Sequence, residues 1–529
     1  MAGRLRFSFL LPAWASLLGL FAQQNDIPLD RDVYFGIDRN GAKKGSTMHT
    51  GLRPLIQSRA ELDRVMGYAP DSSRQYYWFT DKLLKSHLVD IRDGGFRVTL
   101  DPLLDFMAGQ DLRNDTAHDH THDMSHNGRG FWITGDLGPT VSFQTAFRES
   151  QAVLPDYLYR YAQARGVVPG QGRVKLFHER GLDFSWATAN LSWSPRSWLN
   201  AQVGQGRHFV GNGYRSMLLS DNAGTYPYVK LSALTVNKKL QYTVIHAKLQ
   251  MYGEANRLPT GNAGESLYYW KRASFHHLSM DLGPLQVALF EATLWNNIDS
   301  TGVRPYDAME LNPVIGLNTL VHGFGGKNKQ LIGLDVKGRV ADGLILYGQY
   351  ALDDPAKSRY AWQLGGQWFG RIGKRDVHLL LEYDHATPFA YTTNDARMNY
   401  VHAGQPLAGP LGAAYSEAIA LVDVDLGARF WFKGQVGLAG RSMDTLSTSR
   451  VGNDLFLNDL SAGSTTLDLT QRRTWIDVSF AYRMNPHTNL RLMLGYTSRS
   501  LSTGVVGQPA SDVIYVTLRT GLFNRYYDL

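Results

Sequence analysis

The residues most able to do chemistry stand together at 118–126, which reads HDHTHDMSH. The imidazoles of His118, His120, His122 and His126, with the carboxylates of Asp119 and Asp123, are donors that zinc, copper or nickel accept. A metal site also needs fixed geometry. This segment falls on a polar connection after the first expected strand, so the four histidines are only weak candidates and no metal or other cofactor is assigned. Hydrolytic and nucleotide signatures are missing: there is no G-x-S-x-G, no H-E-x-x-H, no P-loop and no glycine fingerprint opening a helix. Carboxylate pairs such as Asp353-Asp354 say little in a chain with 47 acidic residues. The expectation is a protein that is not an enzyme.

A second stretch is more informative. Residues 204–231 read GQGRHFVGNGYRSMLLSDNAGTYPYVKL. They lie between two expected strands, yet Met217, Leu218 and Leu219 are an odd choice for a loop tip in water. Gly211 and Gly213 permit tight turns, and Arg215 and Asp221 are placed to pair. The reading that fits is a loop folded into an interior, its apolar triplet packed and its charges holding it. Such an ion pair is partly desolvated and needs good hydrogen bonding. Asn212, Tyr214, Arg215, Ser216 and Asp221 are the candidate site residues, either as architecture of that loop or as direct ligand contacts.

The elements that position this loop are strands. After Gly94-Gly95 the apolar pattern takes a period of 2. In 184–193, Phe184, Trp186, Thr188, Asn190 and Ser192 share one face and Ser185, Ala187, Ala189, Leu191 and Trp193 the other. Leu490, Leu492, Leu494 and Tyr496 share a face, and Val513, Tyr515, Thr517 and Arg519 alternate with Ile514, Val516, Leu518 and Thr520. Compact connections are expected at 136–139, 194–196, 237–239, 281–284, 337–339, 371–374, 433–434 and 484–487. Long polar stretches lie at 107–128, 150–180, 253–270, 386–415 and 444–470. Short turns at one end and long loops at the other are how transmembrane β-barrels are built. The segment 310–323 breaks that rhythm, so it is set aside as a loop or inward-folded segment. That leaves about eighteen antiparallel strands in an all-β barrel over 94–529. The final Tyr526, Tyr527 and Leu529 read as the aromatic end of the last strand.

Composition agrees. The 529 residues include 27 Tyr, 12 Trp and 53 Gly, a mixture suited to aromatic girdles and tight turns. Mean hydropathy is −0.26, and beyond the extreme N-terminus no run approaches the roughly 20 apolar residues of a transmembrane helix. With no cysteine, a disulfide scaffold, a Cys-ligated metal and a lipoprotein anchor are excluded. The net charge of +7 is scattered rather than striped, which points away from nucleic acid. An acidic glycan or lipopolysaccharide phosphate is the better match.

Residues 1–22 read as a signal peptide, with Arg4 and Arg6 before the apolar stretch Phe7 to Leu20 and cleavage near Ala22. The segment 23–93 is expected on the periplasmic side. It begins polar and extended over 23–48. One helix follows through Leu55, Leu62 and Met66 and closes at Gly67 and Pro70. A second starts at Ser72 or Ser73, with Tyr76, Phe79 and Leu83 beside Tyr77, Leu84 and Leu88 on a wide apolar face that must pack on something.

The stretch Gly206-Arg207-His208-Phe209-Val210-Gly211-Asn212-Gly213-Tyr214-Arg215-Ser216, then Leu218-Leu219-Ser220-Asp221 and Tyr226-Pro227-Tyr228, resembles the signature of the Wzi-like capsule-assembly family. The likeness is to its Bacteroidetes branch, which includes gliding-motility outer-membrane proteins. His49-Thr50 through Pro54, Glu310-Leu311-Asn312-Pro313-Val314-Ile315 and Leu346-Tyr347-Gly348-Gln349 are similar too. Leu317-Asn318-Thr319 departs from a more aromatic and basic pattern, which puts ligand contacts there in doubt. The resemblance implies an eighteen-stranded barrel in the outer membrane of a Gram-negative bacterium, with helices near its periplasmic mouth. It implies a role in attaching capsular or exopolysaccharide at the cell surface, among outer-membrane lipid and lipopolysaccharide. The alternative is a component of a gliding-motility or secretion apparatus, with motility or secretion subunits as partners. An open porin needs a wet lumen, and the apolar residues 217–219 argue against one.

Overall fold

The computed structural model describes residues 24–60, 76–113, 123–252, 268–299, 302–427, 429–443, 451–457, 469–502 and 510–529. Among them, eighteen antiparallel strands close into a barrel. They are β1 (Phe96–Asp111), β2 (Asp123–Leu137), β3 (Val141–Val153), β4 (Gly181–Arg196), β5 (Leu199–Gly206) and β6 (Tyr226–Leu234). Then come β7 (Leu240–Tyr252), β8 (Tyr268–Asp281), β9 (Leu285–Asn296), β10 (Lys329–Ala341), β11 (Leu344–Asp354) and β12 (Arg359–Ile372). The last six are β13 (Arg375–Ala386), β14 (Tyr415–Gly427), β15 (Phe430–Met443), β16 (Leu469–Asn485), β17 (Leu490–Ser502) and β18 (Ser511–Thr520). Each strand pairs with its chain neighbours, and β18 returns to β1 with Val513 opposite Asp111 and Arg519 opposite Asp105. The helices are α1 (Arg31–Gly41), α2 (Gln57–Ala60), α3 (Trp78–Leu84), α4 (Asp156–Arg165) and α5 (Leu317–His322).

Burial along the strands is the reverse of a water-soluble protein. Leu364 and Leu381 on the outer face are 61% and 66% exposed, while the neighbouring lumen-facing Gln363 and Glu382 are 0% and 4% exposed. An apolar outer belt around a polar, filled interior is the arrangement a bilayer selects, because every backbone group is paired within the closed sheet. The expected faces of 184–193 hold: Phe184, Trp186, Asn190 and Ser192 are buried, Leu191 and Trp193 exposed. Among the described residues no helix is long and apolar enough to cross a membrane.

Several expectations need correction. The turn after β10 lies at Asp342-Gly343, not at 337–339, and Lys337 and Arg339 stay in the strand facing the lumen. There Lys337 donates to Thr50 Oγ1 (2.6 Å), while Arg339 reaches Gly41 O (3.0 Å) and pairs with Asp281 (3.0 Å). Lys433-Gly434 likewise lies inside β15, where Lys433 pairs with Asp32. Both segments look like turns because a lumen wall is polar.

The region 23–48 is not wholly extended. Asp30 caps α1 by accepting from Asp32 N, and Val33, Tyr34 and Ile37 are buried on its inner side. Arg39–Asp376, Arg53–Asp38 and Arg491–Asp30 tie this region together and to the wall. A helix that fills a polar lumen needs little apolar surface, so its composition reads as coil.

The last strand ends at Thr520, and 521–529 turn back into the lumen instead of completing it. Phe523 bridges to Leu29, Asn524 accepts from Arg31 N, and Tyr157 donates to the Tyr527 carbonyl. The segment 310–323 is not a strand, as expected, but it folds onto the outer wall. Glu291 on β9 accepts from Gly316 N (2.6 Å) and Thr319 N (2.9 Å), and Arg272 on β8 pairs with Glu310 (3.0 Å).

The apolar face expected near residue 80 is not packed away: Tyr77, Phe79 and Leu88 are exposed, as is Trp78 next to them. Their helix is held at the turn end of the barrel by Asn485 and Arg429, which donate to carbonyls of Lys82 and Leu84. Aromatic rings at that level are the usual furniture of a bilayer interface. The signal peptide, Leu62, Met66, Gly67, Pro70, Ser72 and Ser73 lie outside the described residues.

Candidate functional site

The connection from β5 to β6 enters the lumen and forms its plug. Phe209 and Val210 pair with Arg53 and Leu52 as a short ribbon, and Gly211 N donates to the Gly51 carbonyl (2.8 Å). Met217, Leu218 and Leu219 are all 0% exposed, as their apolar character requires. Leu218 occupies space left by the missing side chain of Gly333 on the wall. The 387–414 loop caps the triplet: Tyr391 Oη and Tyr400 Oη donate to the carbonyls of Met217 and Leu218 (2.7 Å each), and Ser220 N donates to Leu407 O (2.6 Å).

The five candidate residues all lie in this plug, between 0% and 3% exposed. Arg215 is the centre. Its Nε and Nη2 donate to the two oxygens of Glu417 on β14 at 2.9 Å each, and Nη2 also reaches Asp528 Oδ2 at 3.0 Å. Its main-chain N–H donates to Glu382 (2.8 Å), and its carbonyl accepts from Gln363 (3.0 Å). Tyr214 donates to Asp528 through Oη (2.9 Å) and lies under the Arg31 guanidinium, 3.6 Å from the ring centre. Asn212 donates to Asp335 (3.1 Å) and accepts from Thr50 Oγ1 (2.7 Å). Ser216 Oγ donates to Val210 O and accepts from the N–H groups of Leu218 and Leu219.

The expected Arg215–Asp221 pair does not form. Asp221 instead accepts from Tyr526 Oη and from Asn524 (3.0 Å). Both partners lie in the inturned tail, whose aromatic residues read in sequence as the end of the last strand.

Three of the four pieces carrying the family resemblance meet here. Residues 49–54 form the ribbon, 206–221 the plug, and 346–349 the facing wall, where Gln349 accepts from Met217 N (2.9 Å) and donates to Val210 O (2.9 Å). The fourth, 310–315, lies apart on the outer wall. The side chains that sequence reasoning missed are Glu382, Glu417 and Asp528. The first two are lumen-facing positions of regular strands, and only their alternation marks them.

Burial alone would raise the Asp528 carboxyl, but Arg215, Arg473 and the Tyr214 hydrogen bond hold it below its ordinary 3.8. A depressed carboxylate stabilises the plug fully above that ordinary value, and its contribution is lost as pH falls through the lower one. The plug is therefore expected to hold through neutral and mildly acidic conditions and to loosen only below about pH 4. Planar-bilayer recordings stepped down in pH would register this as late-appearing conductance; leakage already near neutrality would refute it.

Among the described residues, a large recess lies at each end of the barrel. At the turn end a wide one of about 870 Å³ is bordered by Lys43, Lys44, Arg59 and Lys238. At the loop end a cleft of about 450 Å³ lies between α4, the wall of β15–β17 and residues 453–457. His126 is buried against Phe184 on the lumen side of β2, while His118, His120 and His122 lie outside the described residues. Among the described residues no group of three potential ligands could hold a metal ion.

No protein-family model and no curated protein matches the chain. Solved structures do. Wzi, described as a carbohydrate-binding β-barrel of the outer membrane involved in group 1 capsule assembly in Escherichia coli, superposes with a TM-score of 0.55 at 14% identity, over 93% of this chain and 99% of Wzi. A BenF-like porin from Pseudomonas fluorescens gives 0.44 at 10% identity, over 80% of this chain and 97% of the porin. Pseudomonas aeruginosa OccD3 gives 0.43 at 12% identity, over 84% and 96%. At these identities the likeness to Wzi is a likeness of fold.

Proposed function

We propose that this protein is a closed outer-membrane barrel, non-enzymatic, that attaches or organises capsular or exopolysaccharide at the surface of a Gram-negative bacterium. In this reading the turn end and the N-terminal segment face the periplasm and the long loops face outward. The observation that carries it is the plugged lumen with a cleft left open at the loop end. A transport pore needs a continuous wet path, whereas here Arg215, Ser216, Met217, Leu218, Leu219 and Asp221 are all 0% exposed in mid-lumen. A binding protein needs a recess of ligand size lined by polar groups and rings, which the cleft offers. The Wzi-like fold and the sequence resemblance to the capsule-assembly family in its Bacteroidetes branch support the same conclusion.

The test is binding of the detergent-solubilised protein to the surface polysaccharide of its own organism. Saturable binding is expected; no binding to that polymer overturns attachment. A second reading, a docking component of motility or secretion machinery, draws on the outer-wall segment, where Leu311, Val314, Leu320 and Val321 face away from the barrel. Co-purification of motility or secretion subunits in mild detergent, without glycan binding, is the result that favours it.

A further inference from the structure

We propose that the loop-end cleft is a binding site for an acidic glycan, recognised through the carboxylates of its uronic acid residues. The proposal rests on the attachment reading but names a place and a chemistry that reading leaves open. Five arginines line the cleft, Arg160, Arg165, Arg441, Arg473 and Arg499, against one acidic side chain, Asp454. An arginine offers five N–H donors and no acceptor, so the walls are rich in donors and poor in acceptors. Neutral sugar hydroxyls need both, whereas a carboxylate needs donors only.

The arginines differ in how far their donors are used. Arg160 at the rim pairs with Asp156 (2.7 Å), and Arg165 pairs with Asp454 (2.9 Å) while its guanidinium covers the Phe456 ring at 4.1 Å. Arg499 donates to the Leu529 main-chain oxygen and lies over Tyr157 at 4.3 Å. Arg473, on the floor, has a side chain only 4% exposed. It gives one donor to Glu417 at 2.5 Å, an acceptor already bound by Arg215. Its Nε and Nη1 are buried and find no partner among the described residues. Buried donors normally find an acceptor, so this floor arginine keeps donors to give to an anion drawn into the cleft. The half-buried ring of Tyr161 on the α4 wall adds a flat apolar face of the kind a pyranose ring stacks on.

Location selects the source of the anion. Arg441, Arg473 and Arg499 project inward from β15, β16 and β17, so the cleft opens inside the barrel mouth. Lipid phosphates stand against the outer wall, on the far side of those strands. A polymer arriving from above is the ligand that reaches it.

The experiment uses the full-length protein in detergent and a defined probe, an oligogalacturonate, beside its carboxyl-reduced neutral counterpart. Calorimetric titration is expected to show saturable binding of the acidic oligomer that weakens as salt rises. Loss of affinity of about tenfold or more is expected for the neutral oligomer and for the rim double variant Arg160→Ala/Arg165→Ala, since charge-assisted hydrogen bonds are removed in both. Arg160→Lys/Arg165→Lys should recover part of it, because charge returns without the planar fork. Heat-modifiability on gels confirms that the variants are folded.

Equal binding of the neutral oligomer, or unchanged binding by the folded double variant, overturns the proposal. The organism's own polysaccharide, titrated in parallel, separates the two readings. If it binds the double variant as it binds the wild type, attachment stands and the cleft is excluded. Should the oligogalacturonate bind while the native polymer does not, the cleft stands and attachment fails. Binding of neither overturns both.

Discussion

In planar bilayers the Arg215→Ala protein is expected to show conductance steps that the wild type lacks, and its plug is expected to lose about 3–5 kcal/mol of stability. The magnitude follows from what is left behind. The Arg215 side chain is fully buried and bridges Glu417 on the wall to Asp528 in the inturned tail. Removing the cation leaves both carboxylates desolvated, with Arg473 the charged neighbour still bonded to Glu417. An uncompensated buried charge costs far more than the pair contributes while intact. The cheapest relief is for water to enter and for loop and tail to swing away from the wall, which opens the lumen. Arg215→Lys should be intermediate, since one ammonium cannot span two carboxylates as the planar guanidinium does. Arg215→Met with Glu417→Met should be milder than Arg215→Ala alone, because the double change removes opposite charges together. A Arg215→Ala barrel as quiet and as heat-resistant as the wild type would sink the argument.

How much of this was legible beforehand depends on which solvent a residue faces. Strands whose outer face meets lipid and whose inner face meets the lumen alternate strongly, and 184–193 and 490–497 could be read directly from their residues. The reading fails where polar composition is taken to mean water. Lys337-Gly338-Arg339 and Lys433-Gly434 look like turns and are strand, since the lumen wall takes lysine and arginine as readily as a loop does. α1 looked like coil for the same reason. Met217, Leu218 and Leu219 could be placed inside because no aqueous loop explains them. Their charged neighbours could not be paired correctly: Arg215 had Asp221 six residues away in sequence, but its true partners, Glu417 and Asp528, lie 202 and 313 residues away. Local spacing carries no information on contacts that only barrel closure creates. The cleft arginines come from α4 and three separate strands, so no motif could have announced them.

Gly213→Val is expected to be as damaging as Arg215→Ala, by a different route. Gly213 sits where the plug passes close to the wall, and a Cβ there would overlap Glu382 Oε2 and lie 2.8 Å from the Tyr347 ring. Neither neighbour can yield cheaply. Glu382 accepts from Tyr214 N (2.7 Å), Arg215 N (2.8 Å) and Tyr347 Oη (2.7 Å), so moving it breaks three hydrogen bonds to a buried carboxylate. Hydrogen bonds to charged groups are worth about 1.5–3 kcal/mol each, and overpacking adds about 1–3 kcal/mol, so the plug cannot seat and several kcal/mol are lost. Gly440→Ala is the control. Gly440 is also a barrel glycine, but a Cβ there meets nothing within 4 Å, and its change should leave conductance and heat resistance as they are. Wild-type behaviour in both variants would mean that the 204–231 loop does not close the barrel. A leak in Gly213→Val alone would place the seal at the contact of Gly213 with Glu382, two residues before the arginine that locks it.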